Sequence, residues 1–215
     1  MLHTCFSPLL VPQTIKERIP HPVRAEARSS TRRTNIKNYP YFPGMKKVYS
    51  ENWPQFFTAT IQGWKHLLKD DRYKDVIISS LKFLKENKKV KINAFIVMSN
   101  HIHLIWQALP GNTLEEVQTA FKKYTSQQFI KLLEEDKKLA LYEVNAADRK
   151  HHFWKRNSLG TELFTREVFL QKLNYIHYNP VYAALCNLPE EYKYSSAQFY
   201  EKGIDNFNIL EHYDG

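Results

Sequence analysis

Residues 90–109 read "VKINAFIVMSNHIHLIWQAL", two short apolar runs divided by a Met-Ser-Asn break. Runs this short, rich in β-branched and aromatic residues and parted by turn-forming residues, predict a β-hairpin that reverses at Ser99-Asn100. On a strand successive side chains point to opposite faces, so His101 and His103 face one way while Ile102 and Leu104 face the other. Two imidazoles on one face are close enough to share an ion.

The flanking chain supplies the rest of a mixed fold. "PQFFTATIQG" (54–63), rich in Phe, Thr and Ile, predicts an earlier strand. Residues 70–89 space Val76, Ile77, Leu81 and Leu84 at helical intervals, with acidic residues at the start and lysines at the end. Past the hairpin, Thr113 and Glu116 have the spacing of a capping box for a long helix over 113–136. Strands alternating with long helices in this order predict an α+β domain, an antiparallel sheet with helices packed on one face. The sequence shows no internal repeat.

The chain has 215 residues, 43% of them hydrophobic and 14% aromatic, which suits a folded core rather than disorder. Its formal charge of +9 favours acidic partners such as nucleic acid, without excluding an anionic membrane surface. Residues 1–44 hold six of the ten prolines and seven Lys/Arg against two Asp/Glu, so they carry +5 of that charge and leave residues 45–215 at +4. That stretch reads as a disordered basic arm or as an upstream extension with Met45 as the true start, and the second reading is preferred. Residues 45–215 are expected to form a single domain. Two cysteines exclude a disulfide framework and a four-cysteine zinc module, and a reducing cytoplasm is the natural setting. No stretch approaches the roughly 18 apolar residues that a membrane helix needs.

A His-x-His pair is weak evidence alone: with nine histidines in the chain it arises by accident about 0.4 times. A metal reading needs a third ligand and a reactant. "FLQKLNYIHYNPVYAAL" (169–185) offers both on a helix that Thr165 can cap, because Tyr175 and Asn179 stand four apart on one side. Tyrosine can be a nucleophile, and the asparagine carbonyl suits a hard cation. The rival local reading makes Asn179 the cap and Pro180 the first residue of a new helix, "PVYAALC". Both readings stand at this level.

Taken in order, "NAFIVMSNHIHLIW", "YIHYNPVYAALC" and "EEYKYSSAQFY" resemble the single-tyrosine HUH transposases of insertion-sequence type, and above all the REP-associated tyrosine transposases, over residues 54–200. The resemblance implies a ferredoxin-like, RRM-like palm with C-terminal helices that carry the tyrosine. It implies that His101, His103 and Asn179 bind Mg²⁺ or Mn²⁺ and that Tyr175 is the nucleophile. Insertion-sequence members often have glutamine where Asn179 stands, and the stretch before Met45 departs from the family pattern. His177, in the same segment, is expected to be structural.

The implied activity is cleavage and rejoining of single-stranded or hairpin DNA through a 5′-phosphotyrosine link. The protein would act as a monomer or a homodimer. Lys122, Lys123 and Lys131 on the long helix, with Lys155, Arg156 and Lys172, are candidate phosphate contacts. Trp154, Tyr192 and Tyr194 are candidate stacking residues, weighed against ordinary core roles. Lys172 is singled out because it precedes Tyr175 by three residues. Two rival functions remain at this stage, a non-catalytic DNA-repeat-binding module and an RNA-binding α+β domain.

Overall fold

A computed structural model of the chain describes residues 53–213 apart from 147, 148 and 157. The arm expected at 1–44 lies outside the described residues, as does the start of the domain expected from 45. In order, the main elements are β1 (Gln55–Thr60), α1 (Asp71–Glu86), β2 (Val90–Val97), β3 (His101–Ala108), α2 (Leu114–Glu135), β4 (Glu143–Ala146), β5 (Arg149–His151), β6 (Leu159–Glu162), α3 (Arg166–Tyr182) and α4 (Ala197–Lys202). Four strands form one antiparallel sheet in the order β2-β3-β1-β6, and β4-β5 make a separate ribbon. The hairpin forms as read: Met98 N–H donates to the His101 carbonyl across Ser99-Asn100. The α+β class and its antiparallel sheet are borne out.

The sheet buries both faces, each under different helices. Phe57 and Ala59 of β1, Phe95 and Val97 of β2, and Ile102, Leu104 and Trp106 of β3 form one core with α1 and α2. Helix α1 starts at Asp70, whose side chain accepts from the Arg72 N–H, and buries Ile77, Leu81 and Leu84. The predicted capping box starts α2, which buries Val117, Phe121, Thr125, Phe129 and Leu133, one residue in every four. That spacing lays a single stripe along one side of the helix, against the sheet.

The opposite face carries Phe56, Ala94, Ile96 and Ile105, covered by Phe169, Leu173 and Ile176 of α3. A bulge at Asn93 adjusts the parity of β2. Ile92 pairs with Trp106 and Ala94 with Ile105, so one extra residue sits on β2. Ile92 and Phe95 therefore face the same core although three residues separate them.

The free edge of β2 is covered rather than exposed. Val97 N–H donates to the Tyr194 carbonyl at 2.9 Å, Ser196 N–H to the Phe95 carbonyl at 3.0 Å, and Glu211 N–H to the Ile92 carbonyl at 2.9 Å. Thr165 caps α3 as expected, accepting from the Val168 N–H. The helix then runs through Pro180 to Tyr182, so no new helix starts at Asn179. Pro180 has no N–H to give the Ile176 carbonyl, and because it lies in the last turn a kink there displaces no further turn of the helix. No described helix is long and apolar enough to cross a membrane.

Phe121 sits between the rings of Trp106 (centroids 6.1 Å apart) and Trp154 (5.9 Å). Phe121→Ala should cost about 3–5 kcal/mol in urea unfolding, because this aromatic packing cannot collapse around the cavity. Lys131→Ala, on the exposed side of the same helix, should change stability by about 0.5 kcal/mol or less. Equal effects from the two variants would contradict the assigned core.

Candidate functional site

Strand pairing sets the site's floor. Thr60 of β1 lies opposite His101 of β3, and Thr58 opposite His103, so these four residues share a face. The two imidazole centroids are 4.9 Å apart. His103 is buried, its Nδ1 2.8 Å from Thr58 Oγ1, and its Nε2 is buried without a hydrogen-bond partner. A buried polar atom left unpaired is costly unless something else satisfies it. When Nδ1 donates to the threonine oxygen, Nε2 holds a bare lone pair, the form in which imidazole binds a metal.

His101 is arranged similarly. Its Nδ1 lies 2.7 Å from Asn100 Oδ1. A carbonyl oxygen only accepts, so Nδ1 carries the proton and Nε2 the lone pair. A hydrogen bond also links the ring to the Asn179 side chain. Burial lowers the pKa of His101, with the Asn179 bond opposing it. Burial, then the charge of His101 and then that of Lys172, push His103 down to about 3. At neutral pH both rings are therefore neutral, as ligation requires.

Helix α3 adds the third and fourth groups. Its buried residues Phe169, Leu173 and Ile176 lie against the sheet, and Lys172, Tyr175 and Asn179 form the flank of that stripe at spacings of three and four. The Tyr175 ring is 5.1 Å from that of His103 and 5.9 Å from that of Phe56, edge to face with both, yet the residue is 48% exposed. Phe56 stacks on His103 at 5.3 Å, and Lys172 Nζ lies 4.9 Å from the Phe56 ring centre. The five residues His101, His103, Lys172, Tyr175 and Asn179 thus converge. Among the described residues, no three His, Cys, Asp or Glu side chains gather as a metal cluster. The third polar group beside the two imidazoles is the Asn179 amide.

His177 points elsewhere on the same helix. It is buried, with Nε2 2.9 Å from Ser196 Oγ, and burial lowers its pKa to about 4. Lys122, Lys123, Lys155 and Arg156 line one open concavity of about 700 Å³ beside α2, together with Ser126 and Gln127. Lys131 is exposed and does not line it. Trp154 and Tyr194, weighed as stacking residues, are instead core. The indole N–H of Trp154 donates to Thr125 Oγ1 at 2.9 Å, and the Tyr194 hydroxyl donates to Asp75 at 2.8 Å. Tyr192 is half-buried and donates to the Val97 carbonyl.

Sequence reasoning missed Thr58, Phe56 and Trp64. The alternation in "QFFTAT" puts Phe56 and Thr58 on one face, but only the β1–β3 register brings that face to the histidines. Trp64 is 56% exposed beside His101, with φ at 58°. For a residue with a Cβ, that left-handed geometry costs roughly 1–2 kcal/mol.

Residues 57–157 match the family described as "Transposase IS200 like". That segment contains His101 and His103 and ends before Tyr175. A solved REP-associated tyrosine transposase, bound to a REP hairpin, aligns with a TM-score of 0.54 and 15% identity, covering 84% of this chain and all of its own. A putative transposase from Deinococcus radiodurans R1 aligns at 0.41 and 15% identity, over 63% of this chain and 95% of its own. Among curated proteins none matches. The first alignment bears out the fold.

His177 gives the site's surroundings a pH signature. Its folded pKa, about 4, lies below the ordinary 6.5, so the unfolded chain takes up the proton first as pH falls. The stabilisation is present above 6.5 and lost on acidification through 4, on the order of 3 kcal/mol. Urea midpoints measured from pH 7 to pH 4 should fall more steeply for the parent than for His177→Gln. Parallel profiles would contradict a buried neutral ring.

Proposed function

We propose, from the premise that residues 57–157 belong to the IS200-like transposase family, that this chain cleaves and rejoins single-stranded or hairpin DNA through Tyr175. The observation that carries this reading is the half-exposed phenol 5.1 Å from a buried imidazole whose second nitrogen is unpartnered. The Tyr175 oxygen attacks phosphorus, the bond to the 3′ oxygen breaks, and a 5′-phosphotyrosine forms. The phenolic proton is lost and the departing 3′ oxygen gains one, so the step balances. Attack by a second hydroxyl reverses it and releases the tyrosine. One phosphoester replaces another, so no nucleotide triphosphate is consumed.

His101, His103 and Asn179 would hold a divalent cation, two neutral imidazoles and one amide oxygen leaving positions for phosphate or water. Mg²⁺ or Mn²⁺ suits that donor set, and the imidazoles favour Mn²⁺. When bound, such an ion polarises the phosphate and stabilises charge on the leaving oxygen. Thr58 and Asn100 each hold one ring through Nδ1, leaving Nε2 as the nitrogen that would ligate. Lys172 brings positive charge to the side of the phenol, where the phosphate must sit.

Lys122, Lys123, Lys155 and Arg156 form the proposed path for the DNA backbone. That the REP-associated relative was solved on a REP hairpin supports a hairpin partner here. Tyr175 and the histidines meet within one chain, which supports a site completed by a single subunit, as monomer or within a homodimer.

A labelled hairpin oligonucleotide with single-stranded flanks, incubated with Mn²⁺, should give a covalent protein–DNA band with the parent and none with Tyr175→Phe. Equal bands would remove Tyr175 from the role. Hairpin binding with no band in any metal would make the chain a non-catalytic module, and preference for RNA of the same sequence would make it an RNA binder.

Thr58→Val tests the support of His103. Without the threonine oxygen, Mn²⁺ affinity measured by titration calorimetry should fall about 10- to 100-fold. Unchanged affinity would show that Thr58 does not set the ring for ligation.

A further inference from the structure

Of the four tryptophans, Trp106 and Trp154 are buried and Trp53 is 38% exposed, whereas Trp64 is 56% exposed. A single exposed apolar residue needs no explanation. The backbone beneath Trp64 does. Gly63 and Trp64 are both left-handed, with φ of 67° and 58°. Among the described non-glycine residues, Lys88, Lys137, Ala184 and Asn208 share that geometry. Lys88, Lys137 and Ala184 each lie two residues past the end of α1, α2 or α3, where helix termination accounts for it. Trp64 follows no α-helix.

The surrounding structure imposes the conformation. Trp64 N–H donates to the Ile61 carbonyl, and its own carbonyl accepts from Asn100 Nδ2. The other end of the same Asn100 amide holds His101 Nδ1. Residues 153–155 run beside the end of β1, with Gln62 N–H donating to the Phe153 carbonyl and Lys155 N–H to that of Thr60. This pairing sets Lys155 Nζ 4.0 Å over the indole centre, and the ring stands edge-on to His101 at 6.5 Å. A large aromatic is thus held open, under strain, between the histidine pair and the basic concavity that Lys155 also lines.

We infer that Trp64 is a stacking platform for one unpaired base next to the cleaved phosphate, with Lys155 fixed over its ring as the cation for that nucleotide's backbone. The inference rests on the DNA reading of the site and deepens it. With the cation over one face of the indole and the residue 56% exposed, the opposite face is the one a base would stack on, and the pair matches what a single-stranded nucleotide presents, a base and a phosphate, whatever the base. Strain kept at a site is warranted where it pre-organises a contact.

The test uses Trp64→Asn in the Tyr175→Phe background, where the DNA stays intact. Asparagine suits left-handed backbone, so thermal stability should hold or rise. The probe is a labelled hairpin of mixed sequence with single-stranded flanks, compared with the same hairpin cut flush. Affinity for the flanked hairpin should fall about 5- to 150-fold, the effect of losing one stacked base, while affinity for the flush hairpin stays within about twofold. Binding of the flanked probe should also quench tryptophan fluorescence in the protein that retains Trp64, and the quench should vanish with Trp64→Asn.

Equal affinity of the two proteins for the flanked hairpin at unchanged stability would overturn the platform. So would an unaltered quench. Assay of the Tyr175 parent for covalent adduct separates the two claims. An adduct with no effect of Trp64→Asn sinks the platform alone, whereas loss of flank binding without any adduct sinks cleavage and keeps the platform.

Discussion

The register between β1 and β3 is the constraint on which the rest depends. It sets Thr58 opposite His103 and Thr60 opposite His101, and a slip of one residue would turn every β1 side chain to the other face. Thr58 would then face the α1–α2 core, and His103 would lose the oxygen that orients its ring. The register is well specified because Phe57 and Ala59 must enter that core while Phe56 enters the other. Hydrophobic packing on both faces thus fixes a polar contact at the site.

The two faces do different work. Under α1 and α2 the sheet has an ordinary apolar core, with buried polar groups such as Thr125 bonded to the backbone and to Trp154. Under α3 the apolar cluster covers only part of the sheet, and the histidines emerge at its margin beside a helix flank that carries Lys172, Tyr175 and Asn179. The helix is anchored by Phe169, Leu173 and Ile176, so the phenol's position follows from burial one residue along. Burial also holds both imidazoles neutral, which ties the packing of that face to the protonation state of the proposed ligands.

Much of this was legible in the sequence because it depends on local periodicity. Alternation in "HIHLIW" gave the shared face of His101 and His103, and capping residues gave the starts of α2 and α3. What was hidden depends on distant parts of the chain. The bulge at Asn93 breaks the alternation of β2 without a glycine or proline to mark it. Strand β6, "LGTE", has no apolar alternation and exists because β1 offers it an edge. Asn179-Pro180 looks like a helix start, but the packing of α3 carries the helix one turn beyond it. Trp154 and Tyr194 were open between stacking and core because aromatic type serves both, and their burial comes from α2 and from the C-terminal segment. Thr58 and Trp64 carry no motif at all; their roles arise from strand register and from a segment some 90 residues downstream that sets Lys155 in place.

The claim that two imidazoles and one particular phenol form a single centre is tested most directly by locating the DNA on the protein. After reaction with a labelled hairpin in Mn²⁺ and tryptic digestion, the peptide from Leu173 to Lys193 contains Tyr175, Tyr178, Tyr182 and Tyr192. Fragmentation by mass spectrometry should place the nucleotide on Tyr175 alone, although Tyr178 and Tyr182 are also exposed. A nucleotide on either of those tyrosines, or on another peptide, would contradict the account.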